Sequence, residues 1–219
     1  IFSLRAGVDR QAPGQRKTQI MQRVALTGGI ATGKTYVLGR LAAAGIPTVD
    51  ADELAHALIQ PYTPSWVAIT KYFGRKILDE TDNINRKKLG ALVFTNTDAR
   101  RTLEGIIHPE VYQNIWHWFE SLETDGGTPF AVAAIPLLYE TSHETKFDQV
   151  LVAACKPKTQ IQRMMKRNNA TKTEVLQRLS AQLPIEDKVN RTEYIIQTDG
   201  TFQNTDQQVE AIIKILENF

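Results

Sequence analysis

Apolar residues recur along this chain in two rhythms. Short unbroken runs occur at Val24-Ala25-Leu26, 130–135 and 150–154, and Ile46-Pro47-Thr48-Val49 reads as a second strand. Unbroken apolarity of that length reads as strands covered on both faces. A last short strand is read at 194–197. Between these runs apolar positions follow the helical period. Val37, Leu38, Leu41 and Ala42 share one face within 34–44, and Gly45 supplies the stop. Residues 159–167 read as another helix. Thr171 and Glu174 form a capping-box pair ahead of a helix drawn through Leu183, and Thr205 with Gln208 repeats that signature before Val209, Ile212, Ile213 and Leu216. Strand, loop, helix and strand within about thirty residues make a βαβ unit, whose product is a parallel sheet.

One stretch breaks the alternation. Residues 53–125 are helix-patterned with no convincing strand: Leu89, Leu92, Val93 and Phe94 give one apolar face, and Val111, Ile115, Trp118, Phe119 and Leu122 give another. They read as a helical insertion over the sheet. The chain of 219 residues is long enough for one domain with such an insertion.

Composition changes this picture little. Hydrophobic residues are 42% and charged residues 23%, ordinary for a globular chain. The uncharged run 126–139 contains a proline and falls short of the ~20 residues a spanning helix needs, so no membrane partner is expected. Net charge is +2, but residues 1–23 carry five basic groups and one acid, leaving the remainder net negative. A nucleic-acid partner is therefore not implied. Residues 1–20 lack an apolar core of signal length and read as a disordered or non-native extension, with the folded domain at 21–219. Cys155 ends an apolar run and reads as a buried small hydrophobe; Trp66, Trp116 and Trp118 read as core or rim aromatics.

The chemistry is concentrated in Gly28-Gly29-Ile30-Ala31-Thr32-Gly33-Lys34-Thr35, which fits G-x-x-x-x-G-K-[ST] between a strand and a helix. Successive backbone amides there form a nest for phosphate oxygens, and the helix start aims its positive end at the same place. Lys34 reaches β- and γ-phosphates and the Thr35 hydroxyl ligates Mg²⁺. Asp50 and Asp52 follow the second strand, at the sheet edge where ligands bind. Either could face a γ-phosphate, and Asp52 could equally be a helix cap. Arg163 and Arg167, four apart on one helix face, suit phosphate contact, as well as a solvated basic face. His108-Pro109 reads locally as a helix start with proline in first position rather than as an acceptor contact.

Taken in order, the phosphate loop, Asp50-Ala51-Asp52-Glu53-Leu54-Ala55-His56, Phe73-Gly74, Asn85-Arg86, Arg101 with Ile107-His108-Pro109, Pro136-Leu137-Leu138-Tyr139-Glu140, and Gln160, Arg163, Arg167, Arg178 and Gln182 form a series. This series resembles the dephospho-CoA kinase family. The resemblance implies a P-loop kinase fold with a five-stranded parallel core, a helical acceptor-binding region at 53–125 and an arginine-bearing lid at 163–191. It implies ATP-dependent phosphorylation of the ribose 3′-hydroxyl of dephospho-CoA, the last step of coenzyme A synthesis, in the cytoplasm. By position it makes Asp52 the base or orienting carboxylate and Arg163 and Arg167 phosphate ligands of the lid. Arg86, Arg101 and His108 are placed towards the acceptor. Three places depart from the pattern. Ala31 stands where glycine is usual, Thr192-Glu193-Tyr194 replaces the usual approach to the last strand, and Thr198 stands for an asparagine.

Overall fold

A computed structural model describes residues 21–218; the expectation for residues 1–20 lies outside them. The apolar runs become five strands: β1 (Gln22–Gly28), β2 (Thr48–Asp50), β3 (Phe130–Ala134), β4 (Gln149–Ala154) and β5 (Tyr194–Gln197). They form one parallel sheet in the order β2-β3-β1-β4-β5, with Leu26 level with Ala134 on one side and Leu151 on the other. Parallel neighbours need crossovers, and these supply the helices that bury both faces.

Alternation along the strands divides the core. Val24, Leu26, Phe130 and Val132 point to the face covered by α1 (Lys34–Ala43) and by the C-terminal helix, Phe202–Leu216, where they meet Val37, Leu41, Val209 and Leu216. Ala25, Ala131 and Ala133 point the other way, towards Val111, Ile115 and Phe119. Small strand residues on that side let a large helix approach closely.

Residues between β2 and β3 are helical: α2 (Ala51–Leu58), α3 (Pro64–Phe73), α4 (Arg86–Thr95) and α5 (Thr97–Asp125). Trp66, Ile69, Phe73, Ile77 and Leu89 give α3 and α4 a core of their own. An isolated antiparallel bridge joins Leu78 and Ile84 within this region. After β4 come α6 (Pro157–Asn168), α7 (Lys172–Leu179), α8 (Ile185–Val189) and, beyond β5, α9 (Phe202–Leu216). Among the described residues no helix is long and apolar enough to cross a membrane.

Three local expectations are corrected. Pro109 does not start a helix: α5 begins at Thr97, where Asn96 accepts from the Asp98 and Ala99 amides at 3.0 Å, and runs through Pro109. The proline forgoes one intrahelical bond, and burial of Val111, Ile115 and Phe119 behind it keeps the helix continuous. The helix drawn from the Thr171–Glu174 box to Leu183 stops at Leu179, because Leu183 precedes Pro184 and is pushed out of helical geometry. Finally, α9 is capped by Thr201, which accepts from the Asn204 amide at 3.2 Å. Thr205 is buried within that helix, and Gln208 instead clasps Gln197 of β5 through both backbone groups, at 2.8 and 2.9 Å.

Candidate active site

The carboxyl ends of β1, β2, β3 and β5 open on one edge of the sheet, into a cavity of about 1410 Å³. The phosphate loop leaves β1 at its centre. Gly28 lies so close to β4 that a β-carbon there would sit 2.6 Å from the Ala153 carbonyl oxygen. Gly33 starts α1 at φ 92°, a left-handed conformation open to glycine. Ala31 is also left-handed, at φ 61°, so the family's usual glycine has a conformational reason that alanine does not satisfy.

Neighbouring elements hold the loop from behind. The Gln160 side chain of α6 donates to the Ile30 carbonyl at 2.7 Å, and the Gln182 side chain accepts from the Ile30 amide at 3.1 Å. Thr32 is buried, and its hydroxyl donates to the Gly29 carbonyl at 2.9 Å. Thr198, at the end of β5, donates to the Thr32 carbonyl at 2.5 Å. Lys188 is wholly buried beneath the loop, 2.8 Å from the Glu140 carboxylate, and donates to the Pro136 and Gly28 carbonyls at 3.0 and 3.4 Å. The Ile30 amide is thereby spent on Gln182 and the Thr32 amide on the Gly29 carbonyl at 3.3 Å, which leaves the remaining loop amides for an anion.

Across from the loop stand the two aspartates, with distinct tasks. Asp50 caps α2 by accepting from the Asp52 amide at 2.8 Å, and its other oxygen meets Lys34 Nζ at 3.3 Å. Asp52 lies in the first turn of α2 and makes no cap, so its carboxylate faces the cavity. Surrounding protein strips enough water from this carboxyl to push its pKa up, and Asp50 adds to the rise; Lys34 and Arg86 pull it back in part. A raised carboxyl pKa suits a group that must take a proton near neutrality.

The same cavity wall includes Gly28, Gly29, Ile30, Ala31, Gly33, Lys34, Thr35, Asp52, His108, Arg163 and Arg167 from the sequence-based set. Thr32 stands behind it. Half-buried His108 has its pKa lowered chiefly by desolvation, with His143 adding to the effect against the pull of Glu104; its neutral form is favoured. Arg163 is held by Thr198, donating to its carbonyl at 2.5 Å and its hydroxyl at 3.0 Å. Arg86 pairs with the His56 ring near Asp52 but does not line the cavity. Arg101 is not brought to the site: it is exposed on α5, 3.9 Å from Asp98. Sequence reasoning missed Tyr36, Tyr112 and Phe202 as wall residues. Phe202 lies outside the buried face of its helix and leaves no periodic trace.

A loop that cradles a polyphosphate and a free carboxylate across a space wide enough for a second reactant are what phosphoryl transfer to a small molecule requires. On this parallel sheet they define a kinase of the P-loop type. Comparison narrows the class. The family model described as dephospho-CoA kinase matches residues 22–204. The chain is 38% identical over 191 residues to a dephospho-CoA kinase of Bacillus cereus, covering 87% of this chain and 95% of that one. It is 39% identical to one from Geobacillus kaustophilus, covering 87% and 94%. The solved structure of a dephospho-CoA kinase from Campylobacter jejuni superposes with a TM-score of 0.67 at 25% identity, over 90% of this chain and 97% of the other. A Thermus thermophilus structure gives 0.77 at 26% identity, over 90% and 98%. The chain belongs to the dephospho-CoA kinase family: it is an ATP-dependent small-molecule kinase, and its reaction is the final step of coenzyme A biosynthesis.

Proposed function

We propose that the cavity transfers the γ-phosphoryl group of ATP to the ribose 3′-hydroxyl of dephospho-CoA with Asp52 as the acceptor-side base. The observation that carries this is the division of labour between two carboxylates. Asp50 is consumed by the α2 cap and by Lys34, whereas the Asp52 carboxylate has no hydrogen-bond or ion-pair partner among the described residues and opens on the space opposite the phosphate loop.

In this reading the loop amides and the start of α1 take the β- and γ-phosphates. Lys34 exchanges Asp50 for a phosphate oxygen, a short move for a flexible side chain already at the loop. Arg163 and Arg167 oppose charge on the transferring group, aided by Lys166 on the same wall. Asp52 orients the acceptor hydroxyl and receives its proton as the new P–O bond forms and the bond to ADP breaks. His108 and Arg86 border the acceptor side; Arg101, one turn before cavity-lining Glu104 on α5, stands outside the wall beside Asp98.

The donor set suits Mg²⁺. Thr35 offers a hydroxyl on the cavity wall, and the described residues contain no cluster of three or more His, Cys, Asp or Glu able to hold a metal. Mg²⁺ commonly binds this way, through few protein oxygens and the substrate's phosphates. Thr35 would hold the ion, which would neutralise phosphate charge. ATP and dephospho-CoA are the partners this chemistry needs, and the cytoplasm, which holds both, is the expected location.

Asp52→Asn keeps the shape of the side chain and removes the base. Acceptor-dependent ADP formation should fall about 10²–10⁴-fold, the usual worth of a positioned base, with ATP affinity little changed. Activity within threefold of the unsubstituted enzyme would remove Asp52 from this role.

A further inference from the structure

Phe202 opens α9 as a residue 72% exposed, yet it lines the site cavity beside Gly200, Thr201 and Thr205. A phenyl ring left in water at a helix start adds little to the core. It is nevertheless held in place. The Tyr36 ring lies 4.7 Å away, centroid to centroid. Tyr36 directly follows Thr35, and its hydroxyl donates to Asp206 at 2.8 Å, while Arg40 pairs with the same carboxylate at 2.9 Å. The aromatic pair is thus fixed to both α1 and α9.

Topology fixes what such a pair can meet. Asp52 follows β2, at one edge of the sheet; Phe202 follows β5, at the other; the phosphate loop follows β1, between them. In-line transfer places the leaving group on the far side of the phosphorus from the attacking hydroxyl. With the acceptor on the Asp52 side, the donor's nucleoside extends towards Tyr36, Gly200 and Phe202. The two hydroxyls that follow β5 on this wall are already spent: Thr198 donates to the Thr32 carbonyl and accepts from Arg163, and Thr201 donates to the Asn204 side chain and accepts from the Asn204 amide.

We infer that Phe202, propped by Tyr36, is the stacking platform for the nucleoside base of the phosphate donor, and that the base is held by its face rather than read at its edge. This rests on the assignment of the phosphate loop to the donor. Stacking accepts any base, because every base has a π-face, so both purine triphosphates should depend on Phe202 alike.

The test is binding of ATP, GTP and inorganic tripolyphosphate to the full chain, by titration calorimetry with Mg²⁺, for the unsubstituted protein, Phe202→Ala and Phe202→Tyr. The exposed position makes both variants compatible with folding. Phe202→Ala should weaken ATP and GTP about tenfold each, the scale of a lost base–aromatic stack. Tripolyphosphate, which has no base, should change less than twofold, KM for dephospho-CoA should hold, and Phe202→Tyr should retain nucleotide affinity. Unchanged ATP affinity in Phe202→Ala overturns the inference, as does an equal loss for tripolyphosphate or a loss for ATP without one for GTP. Failure of the unsubstituted protein to bind tripolyphosphate would instead overturn the phosphate-loop assignment beneath it.

Discussion

Asp50 and Asp52 stand two residues apart after one strand, and spacing leaves either free to cap or to react. The Asp52 amide separates them: it donates to Asp50, so Asp50 becomes the cap and Asp52 is released to the cavity. A consequence for pH follows. Desolvation raises the Asp52 pKa above the ordinary carboxylate value. A base works deprotonated, so activity is full above that pKa and is lost as pH falls through it. The acid limb of kcat/KM, which reports the free enzyme, should therefore lie at higher pH than an unperturbed aspartate would place it. Residual turnover of Asp52→Asn should lack that limb. A limb left in place in the variant would assign it to another group.

Local elements were legible where a single rule governs them. The strand–loop–helix of the phosphate site has a spacing that few other structures satisfy, and unbroken apolar runs identified the three central strands β1, β3 and β4. Legibility failed where a distant contact overrode a local signal. The Thr205–Gln208 pair looks like a cap, but Gln208 is recruited to close the edge of β5. Pro109 looks like a helix start until the packing of Val111, Ile115 and Phe119 behind it against the sheet is known. Arg101 fits the family's order of residues, yet it stands exposed beside Asp98 outside the cavity wall, one turn before Glu104, which lines it. The phosphate loop itself yields a prediction. Ala31 at φ 61° carries a left-handed cost of about 1–2 kcal/mol. Glycine there relieves it while making the unfolded chain freer by about 0.4–1 kcal/mol. Ala31→Gly should thus raise the melting temperature by a few degrees at most, whereas Ala31→Val, β-branched at a positive φ, should lower it and weaken ATP binding. A Val variant as stable and as tight-binding as the parent would show that the loop does not hold this conformation.

At the scale of the molecule, the segment after β4 has two ends of different character. Residues 182–188 are tied to the sheet: Gln182 to the Ile30 amide, the Leu183 amide to Glu140, and buried Lys188 to Glu140 and the Gly28 and Pro136 carbonyls. Residues from Arg167 through α7 are mostly exposed, and Val175 is the buried residue of that helix. Few buried contacts mean low local opening energies, and segments of that kind can close over a site and expel water. Arg167 and Lys166 lie where closure would carry them onto bound phosphates. Amide hydrogen exchange should therefore slow across 163–191 when ATP and dephospho-CoA are both bound, and unequally. Residues 167–180 should gain the most protection, while 183–190, already pinned by Lys188, should change little. Uniform exchange with and without substrates would refute a closing lid. Equal protection across the whole segment would place the hinge elsewhere than at the Lys188–Glu140 tie.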